Sequence, residues 1–526
     1  MRNIDYFDKA ATLHPERPML VAGEQRYTYG EMAELTHRLA GALVANGLAP
    51  QEGVAILSPN DGAVVTTLLG LWRAGATWIP VNTRNALDAN IAYLAYVRAG
   101  WLFYHSSQRD DALRVKAEVP SVHTLVCLDA DAVDGDGGEV PSLERFMLPT
   151  GSPPFPDRGD PTGNGEELVA LIATGGTTGP AKGVRVVNRS WGAMIETIGN
   201  VMSCPEVPVF LATAPLTHAA GPFTMAGIAM GATVVVLPTF EAGAVLDAFE
   251  RHRVTHTFLP PTALYALLDH PRVREVDCSS LRYLLLAGSA VSPSRLAEAV
   301  GVFGPCLCQS YGQTEFHLIA TWLSPAEVAA AAAGDRPERL ASCGRATYGV
   351  RVELMDDDGT ILPTGEVGEI VGRGGICAGG YFELPEASAE AAAFGWHHTG
   401  DVGRRDADGY YYIVDRKKDM IVTGGFNVYS AEVEAAVTEL DGVRECAVIG
   451  VPHAKWGEAV TAVVVVDPAN APGEEAIIAH CKARLGSVKA PKSVLFRDAI
   501  PRTSVGKPDK KTLRATFWQG LERAVN

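Results

Sequence analysis

The chain has 526 residues, of which 47% are hydrophobic and 20% are charged. This length exceeds what one hydrophobic core can organise and predicts two to four structural units of about 100–200 residues each. The composition is that of an ordinary globular protein. A formal net charge of −16 argues against a general affinity for nucleic acid or anionic lipid, so a polyanionic ligand would need local donors.

The nine cysteines are scattered, and no C-x-x-C pair occurs. This usage argues against a metal cage or a disulfide framework and favours a reducing compartment. The N-terminus lacks the apolar core of a signal peptide, and no run of about 18 apolar residues predicts a membrane span. We therefore expect a cytoplasmic protein with neither nucleic acid nor a membrane as a partner.

Helical and strand patterns alternate through the first part of the chain. Thr28 and Glu31 form a capping box that opens an amphipathic helix. Short apolar runs separated by helical patterns predict wound α/β layers with largely parallel sheets. The predicted strands cover residues 54–57, 78–81, 125–128, 169–173, 209–213, 233–237, 257–259 and 284–287.

The pattern changes after about Ser342, where strands joined by hairpin turns predict a β-rich subdomain. A charged connector follows at residues 415–419, and the helix and strand patterns beyond it predict a small α+β unit. We predict a large N-terminal domain over residues 1–415 and a small, mobile C-terminal domain over residues 416–526. Two low-complexity stretches, residues 129–138 and 329–334, are predicted to be surface segments.

A glycine-rich stretch at residues 174–183 follows the predicted strand 169–173. Glycines let the backbone approach a ligand closely, and successive N–H groups can hold an anion. Threonine hydroxyls and a lysine ammonium add donors suited to phosphate oxygens. The candidate phosphate-binding residues are Thr174, Gly175, Gly176, Thr177, Thr178, Gly179 and Lys182.

This loop differs from the common nucleotide motifs. It is not a P-loop, because Ala181 precedes the lysine and Gly183 follows it, and it lacks the Gly-x-Gly-x-x-Gly spacing of a dinucleotide site. Read alone, it could equally be a flexible surface turn. It resembles the phosphate loop of the acyl-adenylate-forming enzymes, which include acyl-CoA synthetases, the adenylation domains of peptide synthetases and beetle luciferases.

Four further stretches are similar to motifs of that family and occur in the family's order, so the resemblance covers nearly the whole chain. Alone, each has an ordinary interpretation as a loop, a turn or a solvated charge run. The stretches are Tyr311-Gly312-Gln313-Thr314-Glu315, Trp396-His397-His398-Thr399-Gly400-Asp401, Asp415-Arg416-Lys417-Lys418-Asp419, and Pro501-Arg502-Thr503-Ser504-Val505-Gly506-Lys507.

The resemblance implies a catalytic group of four residues. Thr314 would contact the α-phosphate, and Glu315 would be the ligand of Mg²⁺. Lys507 would bridge the substrate carboxylate and the α-phosphate, and His218 would line the carboxylate pocket. Lys418 would be the hinge between the domains.

The resemblance also implies a set of residues that bind the nucleotide and CoA. The family's adenine-facing loop, its ribose-binding residues and its pantetheine-flanking loop supply them. Besides the phosphate loop, they are Gly288, Ser289, Ser310, Tyr311, Gly312, Asp401, Ile413, Arg416, Gly424 and Gly425.

Some positions depart from the family pattern. Gly175 and Ala181 stand where serine and proline are common, so the loop has one hydroxyl fewer and less stiffness. Ser430 replaces a usual proline. Ser310 stands where many relatives have glycine, next to the acyl pocket, which implies a pocket of different shape.

The sequence thus predicts an ATP-dependent acyl-CoA ligase that uses ATP, Mg²⁺ and coenzyme A. Two alternatives stay open: an adenylating enzyme that loads a carrier protein, and a non-catalytic nucleotide-binding relative. We expect no carrier domain after Lys507, which favours CoA, and a homodimer is the default expectation. The pocket candidates favour an aromatic, alicyclic or medium-chain acid over an amino acid; they are His218, Phe223, Gly288, Ser310 and Phe316.

Overall fold

A computed structural model describes residues 1–134, 137–160, 162–174, 181–502 and 508–518. The chain forms two compact units. The first comprises Met1–Val352 and Gly372–His397, and the second comprises Glu353–Val371 and His398–Asn526. Among the described helices, none is long and apolar enough to cross a membrane.

Strands of two larger sheets and a small hairpin belong to the first unit. In chain order they are β1 (Pro18–Ala22), β2 (Gln25–Thr28), β3 (Gly53–Leu57), β4 (Thr77–Val81), β5 (Trp101–Tyr104), β6 (Thr124–Cys127), β7 (Ala132–Val133), β8 (Glu139–Val140), β9 (Leu168–Thr174), β10 (Lys182–Val187), β11 (Val209–Ala212), β12 (Thr233–Val236), β13 (His256–Leu259), β14 (Tyr283–Leu286), β15 (Leu307–Tyr311), β16 (Thr321–Leu323) and β17 (Arg345–Ala346).

Helices cover these sheets, as expected where parallel strands are joined by crossovers. They are α1 (Asn3–Leu13), α2 (Tyr29–Ala45), α3 (Gly62–Ala74), α4 (Leu87–Tyr96), α5 (Arg109–Glu118), α6 (Leu143–Phe146), α7 (Asn188–Val201), α8 (Ala220–Ala229), α9 (Ala242–Arg251), α10 (Pro261–Leu268), α11 (Pro293–Phe303), α12 (Pro325–Ala332) and α13 (Pro385–Ala391).

The larger sheet has the strand order β17-β16-β15-β14-β13-β11-β12-β1-β2, and the other has the order β10-β9-β4-β3-β5-β6. The central strands of both sheets are parallel, while β2, β10, β16 and β17 are antiparallel at the edges. The rings of Trp72, Trp78 and Trp191 (the tryptophan cluster) pack within 6.1 Å of one another in successive pairs. Because the three rings are buried against one another, they stabilise the packing of α3, β4 and α7.

The second unit contains two smaller sheets. One has the order β18-β19-β20-β21, and the other has the order β23-β22-β25-β24 with β26 paired to β25. The chain crosses between the units within β18, β19 and β20. The strands are β18 (Val350–Met355), β19 (Val367–Gly374), β20 (His397–Arg405), β21 (Tyr411–Arg416), β22 (Ile421–Thr423), β23 (Phe426–Val428), β24 (Val443–His453), β25 (Gly457–Val466) and β26 (Ser493–Phe496).

The described helices of the second unit are α14 (Ser430–Thr438), α15 (Glu474–Lys489), which breaks at Gly486, and α16 (Lys510–Ala515). A half-buried cation, Lys510, anchors α16. The Lys510 ammonium lies 2.7 Å from the Glu434 carboxylate and donates to Ser430 Oγ at 2.6 Å. Glu434, Asp415 and Asp419 outweigh the effect of burial and raise the pKa of Lys510.

The predicted fold class is confirmed: wound α/β layers with mainly parallel sheets, a β-rich part and a small α+β part. The predicted capping box is present in α2, where Thr28 Oγ1 accepts from Glu31 N at 3.2 Å. The predicted domain boundary at residues 415/416 falls inside the second unit, at the end of β21, and stays a prediction.

One predicted surface segment, residues 329–334, forms the second half of helix α12 with its C-terminal turn. Ser324 and Glu327 form a capping box, with Pro325 at the first helical position, and together they start the helix. Within this run Ala331 is 2% exposed and packs against the protein, whereas Ala333 and Gly334 are exposed.

Candidate active site

Several predicted site residues lie at one edge of the nine-stranded sheet. Strands β11, β13, β14 and β15 are parallel neighbours, so their carboxyl ends share that edge. Strand β11 lies between β12 and β13, where the winding of the sheet changes direction, and open α/β sheets bind ligands at such a point. The predicted residues that follow or end these strands are His218, Gly288, Ser289, Ser310, Tyr311, Gly312, Thr314 and Glu315.

Backbone constraints explain two glycines of this edge. Gly288 has a φ of +91° and open space around the position of a Cβ atom, so its conformation is what requires glycine. At Gly312 a Cβ atom would lie 2.7 Å from the backbone of Leu318. Gly312 thus lets the loop that carries Thr314 and Glu315 fold back closely on itself.

Two polar side chains at this edge differ in their partners and their exposure: Ser310 is buried, and His218 is half-buried. Ser310 is 7% exposed, and its Oγ has no hydrogen-bond partner in the described structure. His218 Nδ1 lies 3.0 Å from Thr217 Oγ1. Burial, aided by Arg84, lowers the pKa of His218 to about 4, so the imidazole is neutral at pH 7.

The predicted phosphate loop is bounded by the antiparallel strands β9 and β10. Thr174 ends β9 opposite Lys182, the first residue of β10, and its Oγ1 lies 3.5 Å from the Lys182 carbonyl oxygen. The remaining predicted residues of the loop lie outside the described residues: Gly175, Gly176, Thr177, Thr178 and Gly179.

Tyr381 links this strand pair to the predicted metal ligand. Its hydroxyl donates to Glu315 Oε1 at 3.0 Å. The Lys182 Nζ atom lies 4.8 Å from the centroid of the same ring, within the range of a cation–π contact. A carboxylate and an ammonium from distant parts of the sequence thus meet at one side chain.

The predicted ribose-binding residues lie on adjacent strands of the second unit. Asp401 in β20 is directly opposite Arg416 in β21, and Arg416 Nε lies 3.4 Å from Asp401 Oδ1. The Asp401 side chain is 8% exposed and the Arg416 side chain 39% exposed. Ile413, also in β21, is 41% exposed.

Glu369 in β19 supports the turn that precedes Asp401. Its Oε1 accepts from Gly400 N at 2.9 Å, and its Oε2 lies 3.2 Å from both Lys417 Nζ and His398 Nδ1. Burial alone would raise the pKa of Glu369, but these three partners outweigh it and lower that pKa.

The predicted CoA-facing glycines form the turn between β22 and β23. Gly424 and Gly425 have φ values of +58° and +83°, which favour glycine. Gly424 N donates to the Trp456 carbonyl oxygen at 2.8 Å. The predicted catalytic residue Lys507 lies outside the described residues.

Sequence reasoning missed Tyr381 and Glu369, since both act through contacts between segments remote in sequence. The glycine pair before Tyr381 was an available signal, because it marks a close backbone approach. Phe316 was wrongly expected to face the acyl pocket. Its ring is fully buried and lies 5.7 Å from the ring of His397, and a Cβ atom on Gly372 would be 2.2 Å from it.

A magnesium ion that accompanies a nucleotide fits the residues around Glu315. Among the described residues, no group of three or more metal-ligating side chains is present. Mg²⁺ in nucleotide sites is held by one or two carboxylates together with substrate phosphates, so it needs no such group. Tyr381 donates to Oε1 of Glu315, and a carboxylate has about four lone-pair sites in all.

Comparison with known proteins identifies the family. Residues 7–382 match the AMP-binding enzyme family, and residues 432–507 match the AMP-binding enzyme C-terminal domain. The chain belongs to the AMP-binding enzyme family.

The chain is similar along its length to acyl-CoA ligases. It is 38% identical to a medium/long-chain-fatty-acid–CoA ligase, FadD8, of Mycobacterium tuberculosis, over 97% of this chain and 89% of that one. It is 36% identical to a feruloyl-CoA synthase of an Amycolatopsis species, over 97% and 98% of the two chains. As a class, the protein is an AMP-forming acid–thiol ligase.

A solved structure has the same fold. The amide bond synthetase McbA of Marinactinospora thermotolerans superimposes with a TM-score of 0.88 at 31% identity. The superposition covers 98% of this chain and 99% of that chain, so both parts of the fold are shared.

Proposed function

We propose that this member of the AMP-binding enzyme family activates a carboxylic acid with ATP and then transfers the acyl group to coenzyme A. The proposal rests on one observation: Glu315 and Lys182 both contact the side chain of Tyr381. A carboxylate for a metal ion and an ammonium for phosphate oxygens are the two groups that a metal–triphosphate complex needs side by side.

In the first step the substrate carboxylate attacks the α-phosphorus of ATP, an acyl-adenylate forms, and pyrophosphate leaves. Residues 174–183, with Lys182 among them, hold the β- and γ-phosphates through backbone and side-chain donors. Thr314 donates to the α-phosphate. Lys507 offsets the negative charge that develops as oxygen attacks phosphorus.

Magnesium, when bound, neutralises phosphate charge and polarises the phosphorus under attack. Glu315 is the residue that would hold it, and Tyr381 steadies Glu315. Asp401 accepts from the ribose hydroxyls, with Arg416 beside it. His218 is neutral at pH 7 because its pKa is lowered to about 4, so it serves the acid as a hydrogen-bonding group rather than as a cation.

In the second step the CoA thiol attacks the acyl carbon, a thioester forms, and AMP leaves with the electron pair of the broken bond. Residues 416–526 turn about Lys418 between the steps, which withdraws Lys507 and brings Gly424 and Gly425 to the pantetheine arm. The exchange of two closed states is a hinge mechanism.

The acid is proposed to have an aromatic, alicyclic or medium-chain body. Phe223 is buried beside Phe210, with ring centroids 4.9 Å apart, so the helix that follows His218 packs through apolar side chains. The unpartnered Oγ of Ser310 suits one polar substituent on that body, since buried hydroxyls are normally hydrogen-bonded. Among the relatives, the feruloyl-CoA synthase acts on such an acid.

The second candidate function keeps the adenylation step and changes the acceptor. The similarity to an amide bond synthetase favours an amine as that acceptor, and a carrier-protein thiol is the other possibility. CoA, amine and carrier-protein acceptors all follow the same adenylation step. Only an assay of which acceptor takes up the acyl group distinguishes them.

The test measures the two half-reactions separately. With ATP, Mg²⁺ and a panel of acids, pyrophosphate release identifies the acid, and addition of CoA then gives the thioester. Lys507→Ala should lower pyrophosphate release by at least about a hundredfold and leave thioester formation from a supplied acyl-adenylate nearly unchanged. Lys511→Ala, an exposed lysine nearby, is the matched control.

Equal loss of both half-reactions in Lys507→Ala would contradict the two-state hinge. Pyrophosphate release without thioester, even at high CoA, would reject CoA as the acceptor, and an amide product on addition of amines would establish the second function. A protein that binds ATP and releases no pyrophosphate with any acid would be a non-catalytic relative.

A further inference from the structure

Tyr381 lies in a short stretch that connects two functional segments of the first unit. Gly379 N donates to the Arg185 carbonyl oxygen at 2.8 Å, and Arg185 N donates to the Gly380 carbonyl oxygen at 2.9 Å. Ala378 N donates to the Glu315 carbonyl oxygen at 2.9 Å. The stretch is thereby fixed to β10, the strand that begins with Lys182, and to the loop of Glu315.

The tyrosine side chain makes a different contact on each side. Its hydroxyl gives a hydrogen bond to one oxygen of Glu315, which fixes the rotation of that carboxylate. Its ring face lies beneath the ammonium of Lys182 at 4.8 Å. Burial, reinforced by Glu315, raises the pKa of Tyr381, so the hydroxyl keeps its proton and remains a donor.

Groups that orient a metal ligand affect metal binding strongly. Loss of such an outer contact typically costs 10–100-fold in metal affinity, because the ligand oxygen is then free to turn away. Loss of a cation–π contact with a partly buried ring is expected to weaken binding that depends on the ammonium about threefold. Both effects act through one side chain here.

We infer that Tyr381 is a positioning residue that orients the Glu315 carboxylate for magnesium and the Lys182 ammonium for the phosphates of ATP. The inference rests on the proposed function, which assigns those two ligands. It adds a residue that contacts neither the metal nor ATP and that couples the phosphate loop to the metal site.

Two variants separate the two contacts. Tyr381→Phe removes the hydroxyl and keeps the ring, whereas Tyr381→Leu removes both. The matched control is Tyr96→Phe, because the Tyr96 hydroxyl donates to the carbonyl oxygen of the adjacent residue Phe382 and its ring packs on Phe382 at 5.9 Å.

The readout is the dissociation constant of ATP by calorimetry, without acid, at saturating Mg²⁺ and again in EDTA. Tyr381→Phe should weaken binding about tenfold with Mg²⁺ and leave the EDTA value unchanged. Tyr381→Leu should weaken binding in EDTA as well, by about threefold, because Lys182 loses the ring. Tyr96→Phe should change neither value.

A double-mutant cycle with Glu315→Gln completes the test. Tyr381→Phe should have little further effect on Mg²⁺-dependent ATP binding once Glu315 is replaced, because the hydroxyl acts through that carboxylate. If Glu315→Gln weakens this binding and Tyr381→Phe does not, the inference is overturned and the metal assignment stands. Equal weakening by Tyr381→Phe with and without Mg²⁺ also overturns it. If Glu315→Gln itself has no effect, the metal assignment fails and the inference falls with it.

Discussion

Titratable side chains near the predicted nucleotide site of the first unit are kept neutral. Burial lowers the pKa of His218 and of His317 to about 4. The His317 Nε2 atom lies 3.0 Å from Ser190 Oγ, a neutral partner. Tyr381 supports Glu315 as an uncharged phenol whose pKa is raised by burial. The histidines and the tyrosine named here therefore add no charge beside Lys182 and Glu315.

The predicted ribose site of the second unit pairs its charges instead. Asp401 faces Arg416, and Glu369 contacts Lys417. The comparison teaches that the predicted nucleotide residues of the first unit and the predicted ribose residues of the second unit should fail under different conditions. The first should be sensitive to protons, and the second should be sensitive to the loss of a single charged partner.

Acid should have the largest effect, and it should act on the first unit. His218, His256 and His317 have folded pKa values of about 4 against an ordinary 6.5. The unfolded chain therefore takes up protons below pH 6.5 that the folded unit refuses, so stability present above 6.5 is lost as the pH falls toward 4. Each histidine contributes at most about 3 kcal/mol.

Urea denaturation followed by fluorescence of the tryptophan cluster measures this loss between pH 7 and pH 4.5. His256→Phe tests the contribution of one histidine. The ring of His256 stacks on Phe210 at 4.4 Å, and phenylalanine keeps this stacking but has no group that takes up a proton. It should flatten the acid dependence by about a third. A slope identical to that of the parent would mean that His256 does not titrate as described.

Removal of one charge from the second unit should have the next largest effect. Lys510→Met leaves the Glu434 carboxylate, whose side chain is 22% exposed, without its cation and should cost about 2 kcal/mol of unfolding free energy. Urea denaturation monitored by hydrogen exchange of peptides from β24, α14 and α16 measures it. Lys511→Met, at an exposed position, is the control. Equal stability of the two variants would contradict the expectation that the second unit depends on single charged partners.

The smallest predicted effect concerns Glu369. Glu369→Gln weakens the acceptor for Gly400 N and leaves Lys417 without a counter-charge on that side, so the turn before Asp401 loosens. We expect the KM for ATP to rise about tenfold, equivalent to about 1.4 kcal/mol, with little change in kcat. Glu366→Gln, an exposed neighbour, is the control. A loss of stability with an unchanged KM would show that Glu369 serves the fold alone.

Much of this site follows from the sequence, because apolar runs that end at glycine-rich stretches predict the carboxyl ends of parallel strands. His218 and Glu315 themselves were predicted from the resemblance of their segments to family motifs. The contact of Tyr381 with Lys182 and Glu315 could not be predicted, since it depends on the register between segments far apart in the chain. The buried ring of Phe316 was wrongly expected to face a pocket, because a loop aromatic next to a motif gives no sign of which way it points.

The contact between Asp415 and α14 has a consequence for the proposed motion. Asp415 Oδ2 accepts from Ser430 N, from Ser430 Oγ at 2.8 Å and from Ala431 N at 3.4 Å, and so caps the helix. The cap comes from the residues before the predicted pivot, whereas the helix comes after it. A full rotation about Lys418 would break these hydrogen bonds, at a cost of about 1 kcal/mol. Each catalytic cycle would therefore break and re-form the helix cap. The intact cap would stabilise one of the two conformations of the resting enzyme.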